Sequence, residues 1–229
     1  MSEISICVFG DSIGKGVVLH PDQGRYELIK MNVGKLLGVQ ELKVTNYSRF
    51  GCTVSKGLSI IKKHGCELAR FTSVFLELGG NDCDFAWNEV AKDPQRQHAP
   101  KTPLSEFKRL YRQVIELIRD NGGNPVILTL PPLEPWRFFD WVFRGLDKDN
   151  ILKWLGDVDM IYRWQELYNV EVMLLAAKLS VPIIDIRSAF LKCKNYSDLL
   201  CPDGIHPNNE GYNLIYKTIA AQYKLAISV

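Results

Sequence analysis

The chain has 229 residues, of which 46% are hydrophobic and 24% are charged, so it is long enough to bury a sizeable core as one globular domain. Its 28 basic and 26 acidic residues leave a net charge of +2, which does not support a nucleic-acid-binding or membrane-surface protein. From this charge we expect no nucleic-acid partner. No apolar run reaches the roughly 18 residues of a membrane span, so we also expect no stable membrane insertion.

The six cysteines are scattered along the sequence without a CxxC pair, which predicts free thiols rather than a disulfide framework. Metal ligands would be clustered at short spacing, and no such cluster is present, so we expect no metal site and no cofactor. The first residues lead directly into a strand-like run without the basic and apolar regions of a signal peptide. These features predict a cytoplasmic protein in a reducing compartment.

Short β-rich runs alternate with stretches of helical periodicity. The predicted strands are, in chain order, Ile4–Phe9, Leu42–Tyr47, Ser73–Leu78, Pro125–Leu130 and Val181–Ile186. Several are almost continuously apolar, which is typical of strands buried on both faces of a parallel sheet. Helical spacing covers Leu104–Arg119, Tyr162–Leu179 and Asn208–Tyr223. The alternation predicts an α/β fold, a three-layer α/β/α sandwich, in a single domain over residues 1–229.

The stretch 131–158 is longer than a loop between a strand and a helix should be, and it is rich in aromatic residues. We interpret it as an insertion that forms a cap or a pocket wall beside a site. The residues predicted to contact substrate are Trp136, Trp141 and Trp154. An equally weighted alternative is that its aromatic residues pack an extra helix onto the core or form an interface between subunits, which would allow an oligomer.

Reactive residue types follow the predicted strands, and in an open parallel sheet ligands bind at the carboxyl ends of the strands. The first such stretch contains Gly10, Ser12 and the Gly14-Lys15-Gly16 triplet, and it suggests either a phosphate loop or a nucleophilic serine. A Walker loop needs four residues between its glycines and a hydroxyl after the lysine, and neither condition is met. A Rossmann loop lacks its third glycine here. The nucleotide-binding interpretation is therefore the weaker one.

A serine nucleophile needs a histidine base, which in turn is oriented by a carboxylate. Only His206 among the four histidines has a carboxylate, Asp203, at a short offset in a loop rich in glycine and proline. The other three lie among surface-type residues and are expected to be solvated. Candidate donors for an oxyanion are the backbone N–H groups of Gly51 and Ser12 and the side-chain amide of Asn81.

Taken in order, these motifs resemble the four blocks of the SGNH hydrolase superfamily, also called GDSL esterases and lipases: Gly10-Asp11-Ser12, Gly51, Gly79-Gly80-Asn81-Asp82 and Asp203-Gly204-Ile205-His206. The resemblance spans nearly the whole chain and implies a flavodoxin-like sandwich with a five-stranded parallel sheet. It also implies that Ser12 is the nucleophile, His206 the base and Asp203 its partner, with Ser12, Gly51 and Asn81 forming the oxyanion hole. Ile13 stands where the GDSL form has leucine, which is a conservative departure.

The resemblance implies a serine esterase that hydrolyses a small-molecule acyl ester through an acyl-enzyme. A small acyl or acetyl ester is the expected substrate. Lysophospholipase or thioesterase activity on longer acyl chains stays open, because the motifs do not separate these activities. A catalytically silent binding module on the same fold is a further alternative, although no member of the triad is missing from the sequence.

Overall fold

The computed structural model describes residues 4–20, 24–29 and 42–226. The strands in this part of the chain are β1 (Ile4–Gly10), β2 (Val17–His20), β3 (Arg25–Leu28), β4 (Leu42–Asn46), β5 (Ser73–Glu77), β6 (Pro125–Leu128) and β7 (Ile183–Ile184). Five of them form one parallel sheet in the order β4-β1-β5-β6-β7, whereas β2 and β3 pair as an antiparallel hairpin. The predicted five-stranded parallel sheet is confirmed, and the hairpin was not predicted.

Helices cover both faces of the sheet. In the described part of the chain the α-helices are α1 (Ser12–Lys15), α2 (Val54–His64), α3 (Trp87–Lys92), α4 (Leu104–Asp120), α5 (Pro135–Val142), α6 (Lys148–Leu155), α7 (Met160–Lys178), α8 (Ile186–Leu191) and α9 (Asn209–Ala226). The three predicted helices are confirmed as α4, α7 and α9, with ends that differ by three residues at most. No helix among the described residues is both long and apolar enough to cross a membrane.

The two faces of the sheet each carry a hydrophobic core, as an alternating strand requires. Along β5, Val74 and Leu76 pack against α2, α4 and α7, while Phe75 packs on the opposite face against α8 and α9. All five residues of β5 and all four of β6 are buried, whereas β4 at the edge of the sheet is partly exposed. The three-layer α/β/α sandwich is therefore confirmed, and its inner strands are mainly apolar.

The last strand is shorter than predicted, because only Ile183 and Ile184 pair with β6. The Asp185 carboxylate accepts a hydrogen bond from the Ser188 N–H at 3.0 Å, which makes Asp185 the N-cap of α8. A residue that caps a helix has left the strand, so the apolar Ile186 belongs to α8 rather than to β7.

The aromatic-rich stretch 131–158 folds into α5, α6 and their connecting loop. Phe138, Phe139 and Phe143 are buried in a third apolar cluster that joins α5 and α6 to α3 and the start of α7. The Asn150 side chain also donates a hydrogen bond to the Ala91 carbonyl at 2.8 Å, which fastens α6 to α3. The segment therefore packs against the domain at the edge where the strands end.

All six cysteines are free, as their spacing predicted. Four of them are buried, Cys193 is partly buried and Cys66 is exposed. Burial raises the pKa of the Cys7 and Cys52 thiols to about 12, because a thiolate loses its hydration in an apolar environment. These two thiols therefore stay neutral and contribute to the fold as small apolar side chains.

Candidate active site

Ser12 lies at the sharp turn between β1 and α1, at the carboxyl edge of the sheet. The Asp11 side chain accepts a hydrogen bond from the Ile13 N–H at 2.8 Å and so caps the short helix. A Cβ atom at Gly10 would lie 3.0 Å from the Glu77 carbonyl oxygen, closer than real contacts normally allow. The turn therefore requires glycine before Asp11, and it presents the Ser12 hydroxyl above the end of β1.

Ser12, His206 and Asp203 form one continuous chain of hydrogen bonds. The Ser12 Oγ lies 2.9 Å from His206 Nε2, and His206 Nδ1 lies 2.7 Å from Asp203 Oδ2. Asp203 is fully buried, and Ser12 and His206 are less than one tenth exposed. The structure therefore brings together the three residues that the sequence selected, although 194 positions separate the serine from the histidine.

Asp203 remains ionised despite its burial. Burial by itself raises the pKa of this carboxyl, but the His206 ring and the backbone N–H groups of Ile205 and His206 stabilise the charged form. The two N–H groups donate to Oδ1 at 3.0 and 3.1 Å, which leaves Oδ2 for the imidazole. The net pKa lies below its ordinary value. A carboxylate in this state can orient His206 and stabilise its positive charge.

The loop that carries Asp203 and His206 is held against α5. The Gly204 carbonyl accepts a hydrogen bond from the Glu134 N–H at 2.8 Å. Gly204 has φ of +70°, and a Cβ atom there would lie 2.8 Å from the Phe138 nitrogen and closer still to the Glu134 carbonyl oxygen. Only glycine allows this contact between the loop and the first turn of α5.

Helix α9 joins the same region to the serine turn. The Tyr212 hydroxyl lies 2.9 Å from the Val17 carbonyl oxygen and 3.2 Å from that of Ile13. Tyr212 is buried, so these contacts replace water at two carbonyl groups beside α1. The two parts of the chain that supply the hydrogen-bonded chain are therefore fastened to each other outside it as well.

Two of the predicted oxyanion donors, Gly51 and Asn81, lie close to each other, and Asn81 is hydrogen-bonded to Asp11, the neighbour of Ser12 in the chain. A Cβ atom at Gly51, which has φ of +63°, would stand 3.9 Å from Asn81 Oδ1. The Asn81 amide donates one hydrogen to Asp11 Oδ2 at 2.7 Å, so its second hydrogen remains for another acceptor. The N–H groups of Ile13 and Gly14 both have side-chain acceptors, Asp11 and Glu77, whereas the Ser12 N–H stands at the first position of α1, where no intrahelical acceptor exists.

Two buried carboxyl groups support the serine turn from below. Glu77, the last residue of β5, accepts hydrogen bonds from the N–H groups of Gly14 at 3.0 Å and Asp11 at 3.4 Å. Burial raises the pKa of both Asp11 and Glu77, and for Glu77 the neighbouring Asp11 charge raises it well above its ordinary value. The pKa of Glu77 is therefore raised more than that of Asp11, whose charged form is stabilised by hydrogen bonds from the Ile13 N–H and the Asn81 amide.

Asp82 braces a different part of the site. Its carboxylate accepts hydrogen bonds from the Val54 N–H at 3.0 Å and from the Thr102 hydroxyl at 2.6 Å. Burial raises its pKa to about 6 against these hydrogen bonds. The carboxylate does not line the cavity described below, and it joins the start of α2 to the loop that follows Asn81. This arrangement is that of a structural support.

A cavity of about 430 Å³ opens beside Ser12 and His206 and is lined mainly by apolar and aromatic side chains. Trp154 lines it, as expected, and so does Phe138 from the same segment. Trp141 and Trp136 do not line it, and Trp136 is 59% exposed. Trp136 and Phe138 are two positions apart on α5, about 200° around the helix axis, so they cannot face the same cavity. Of the three tryptophans selected from the sequence, only Trp154 is at the cavity.

Several cavity residues were not selected from the sequence. Phe85, Trp87 and Trp164 form an aromatic group with Trp154, with ring centroids of Phe85 and Trp154 4.9 Å apart. Phe85 and Trp87 follow directly after the Gly79–Asp82 motif, a position that could have indicated their role. The histidines expected to be solvated are all partly buried, and His98 lines the cavity beside Trp154. That expectation was wrong.

Tyr26 and Phe50 were also missed, and both stand over the His206 ring. The ring centroids of Tyr26 and Phe50 lie 5.1 and 6.0 Å from that of His206. Tyr26 is part of the unpredicted hairpin, so no motif marked it.

In the described part of the chain, no group of three or more His, Cys, Asp or Glu side chains could hold a metal ion.

Comparisons with known proteins concern the family and the fold of the chain. The model of the GDSL-like lipase/acylhydrolase family matches residues 8–214. No curated protein matches the sequence. Solved structures share its fold. One is a lipase/acylhydrolase from Enterococcus faecalis, with 20% identity and a TM-score of 0.64, covering 96% of this chain and 95% of that one.

Two further structures extend the comparison. A catalytic mutant of an acetylxylan esterase from Geobacillus stearothermophilus has 18% identity and a TM-score of 0.65, covering 96% of this chain and 94% of its own. The esterase EstA from Pseudoalteromonas has 15% identity and a TM-score of 0.61, covering 99% and 100%. At such identities the structures show a shared fold, and the family model adds the sequence evidence. The chain belongs to the GDSL-like lipase/acylhydrolase family.

Proposed function

We propose that this protein is a serine esterase that hydrolyses carboxylic acyl esters. The observation that carries the proposal is the hydrogen-bonded chain from Ser12 through His206 to Asp203 at the mouth of an apolar cavity. A nucleophile, a base in contact with it and a carboxylate that orients the base are the elements of acyl transfer. When the ester carbonyl lies over Ser12, the acyl chain of the substrate lies in the cavity.

The mechanism has two steps. His206 takes the proton of Ser12 as Oγ attacks the ester carbonyl, and the oxyanion is stabilised by the N–H groups of Ser12 and Gly51 and the free amide hydrogen of Asn81. His206 then gives the proton to the leaving alcohol. In the second step His206 deprotonates water, which attacks the acyl-enzyme and releases the acid, and Ser12 recovers its proton.

The acyl group is proposed to be small, such as acetyl, and the cavity favours a second candidate. Its volume of about 430 Å³ and its walls of Phe85, Trp87, Phe138 and Trp154 exceed what an acetyl methyl group needs, so esters of longer acyl chains also fit. Rates on p-nitrophenyl esters from acetate to laurate separate the two. A maximum at acetate supports the small-acyl substrate, and a maximum at six carbons or more supports the longer one.

The test of the whole mechanism is Ser12→Ala on the same series of esters. We expect kcat to fall by at least about a thousandfold, because the other members of a triad contribute little without the nucleophile. Ser55→Ala is the matched control, since Ser55 is exposed on α2 and should leave the rate unchanged. Equal rates for wild type and Ser12→Ala would exclude the mechanism. Absence of any hydrolysis in the wild type would favour the silent binding module.

Two expectations about the cellular context stay predictions. A cytoplasmic location is one of them. The other is an oligomer formed through the segment 131–158, for which Trp136 is the exposed aromatic residue available to an interface. Sedimentation of the wild type beside Trp136→Ala would test the oligomer, and equal molecular masses for both would argue against that surface.

A further inference from the structure

Tyr26 makes a contact to the proposed triad from outside it. Its hydroxyl lies 3.2 Å from Asp203 Oδ2, the same oxygen that receives His206 Nδ1. Tyr26 is 40% exposed and belongs to β3, all four residues of which are exposed. A tyrosine on this hairpin therefore reaches a fully buried carboxylate that is 177 positions away in the sequence.

We propose that Tyr26 is a positioning residue for the proposed triad. It donates a hydrogen bond to Asp203 Oδ2, which shares the charge of that carboxylate between the tyrosine hydroxyl and the His206 imidazole, and its ring covers His206. This inference rests on the proposed function for its catalytic consequence. The hydrogen bond and the ring contact are independent of that function.

The hydroxyl is a permanent donor in the working pH range. Burial and the negative charge of Asp203 raise the pKa of Tyr26 to about 12, so the group stays protonated at neutral pH. As an ionised carboxylate, Asp203 has no hydrogen to give, so the direction of the bond is fixed from Tyr26 to Asp203. The two N–H donors on Oδ1 fix one end of the carboxylate, and Tyr26 fixes the other end together with His206.

The Tyr26 ring also packs against the His206 ring. It lies at 5.1 Å and 56° to the imidazole, and Phe50 stacks at 6.0 Å and 28°. The two aromatic rings contact each other at 5.6 Å, and both line the mouth of the cavity. Together they cover the histidine at the point where Ser12 and His206 meet the solvent.

Removing the hydroxyl alone should change the protonation of His206 in one direction. Without the Tyr26 donor, the Asp203 charge is less shared and stabilises the imidazolium more strongly, so His206 is protonated at higher pH. Other charged or titratable groups among the described residues near this point are Asp11, which interacts with His206, and Cys201, which lies near Asp203 and whose pKa burial raises to about 11. Tyr26→Phe alters neither of them.

The experiment compares wild type and Tyr26→Phe in the pH dependence of kcat/KM and in an NMR titration of the His206 ring, identified by its loss in His206→Gln. We expect both midpoints to move up by about half a pH unit. We also expect kcat at the optimum to fall by about three- to tenfold, because the carboxylate is held less firmly. The control is Tyr47→Phe, which removes a comparable hydroxyl–carboxylate contact of 3.3 Å to Glu67 outside the site.

The two readouts separate this inference from the proposed function. The NMR titration needs no catalysis, so an unmoved midpoint in a folded Tyr26→Phe protein would overturn the inference. The Tyr26→Phe substitution is also made in an Asp203→Asn background. If it moves the His206 midpoint there as far as in the wild type, the inference is overturned, because the effect must pass through the carboxylate. If Ser12→Ala retains full activity while the NMR midpoint still moves, the proposed function fails and the coupling of Tyr26 to Asp203 and His206 stands.

Discussion

The contact between Gly204 and α5 allows the placement of His206 to be tested from a position outside the triad. In Gly204→Ala the new methyl group would lie 2.8 Å from the Phe138 nitrogen, whereas an ordinary contact begins at 3.4 Å. The atoms it meets include the backbone of α5, which cannot rotate away. The contact with the Phe138 nitrogen alone requires the loop to retreat by about 0.6 Å, and the Glu134 carbonyl oxygen, which is closer still, requires more.

That displacement acts directly on the proposed base. The loop carries His206, whose Nε2 lies 2.9 Å from Ser12 Oγ, and a retreat of at least about 0.6 Å in the least favourable direction brings the pair to the 3.5 Å limit of a hydrogen bond or beyond it. A misplacement of 1 Å costs about a hundredfold in rate, so we expect kcat/KM to fall by about 30- to 100-fold. The positive φ adds about 1 kcal/mol of strain for alanine, and with the clash the free energy of unfolding should fall by about 2–3 kcal/mol.

Gly145→Ala is the matched control. Gly145 has φ of +77° but no atom within 4 Å of its added methyl group, so the same substitution adds strain without a clash. We expect it to lower the free energy of unfolding by about 1 kcal/mol in urea titration and to leave kcat/KM unchanged. If Gly204→Ala lost no more activity than Gly145→Ala, the placement of His206 by α5 would be refuted.

Two further variants test the support and the walls of the site. Because burial and the neighbouring Asp11 charge raise the pKa of Glu77 well above its ordinary value of 4.5, the free energy of unfolding should fall as pH rises above about 4.5, and Glu77→Gln should flatten this dependence in urea titrations at pH 5 and 8. An unchanged slope would place the proton elsewhere. Trp154→Ala should shift the preferred p-nitrophenyl ester toward longer acyl chains, while Trp136→Ala, which is outside the cavity, should not. Equal shifts in both would argue that Trp154 does not bound the acyl group.

The fold could be predicted because the buried strands are mainly apolar in sequence. β5 contains the apolar run 74–76, all four residues of β6 are apolar, and both strands are fully buried in the structure. The hairpin of β2 and β3 could not be predicted in the same way. Its strand β3 is exposed throughout, so no hydrophobic periodicity marks Arg25–Leu28.

The positions of Ser12, Asp203 and His206 could be predicted because they follow strands or occupy a short glycine-rich loop, which restricts where their side chains can point. The aromatic residues of the cavity were harder to predict. A large aromatic side chain in the sequence can belong to the core, to the surface or to the wall of a cavity, and its position in the sequence does not distinguish these places. Phe138 and Trp136 illustrate this, since helix geometry alone sends one to the cavity and the other to solvent. Tyr26 depends on a tertiary contact that no local pattern encodes.

The separation of Ser12 from His206 has a consequence for synthesis of the protein. Chains are made from the amino terminus, and the first strand with its serine emerges long before the loop that holds the base. The serine turn also lacks its Tyr212 contacts until α9 has formed. A growing chain therefore carries a serine without a partner for almost the whole of translation, and hydrolytic competence arises in one late event.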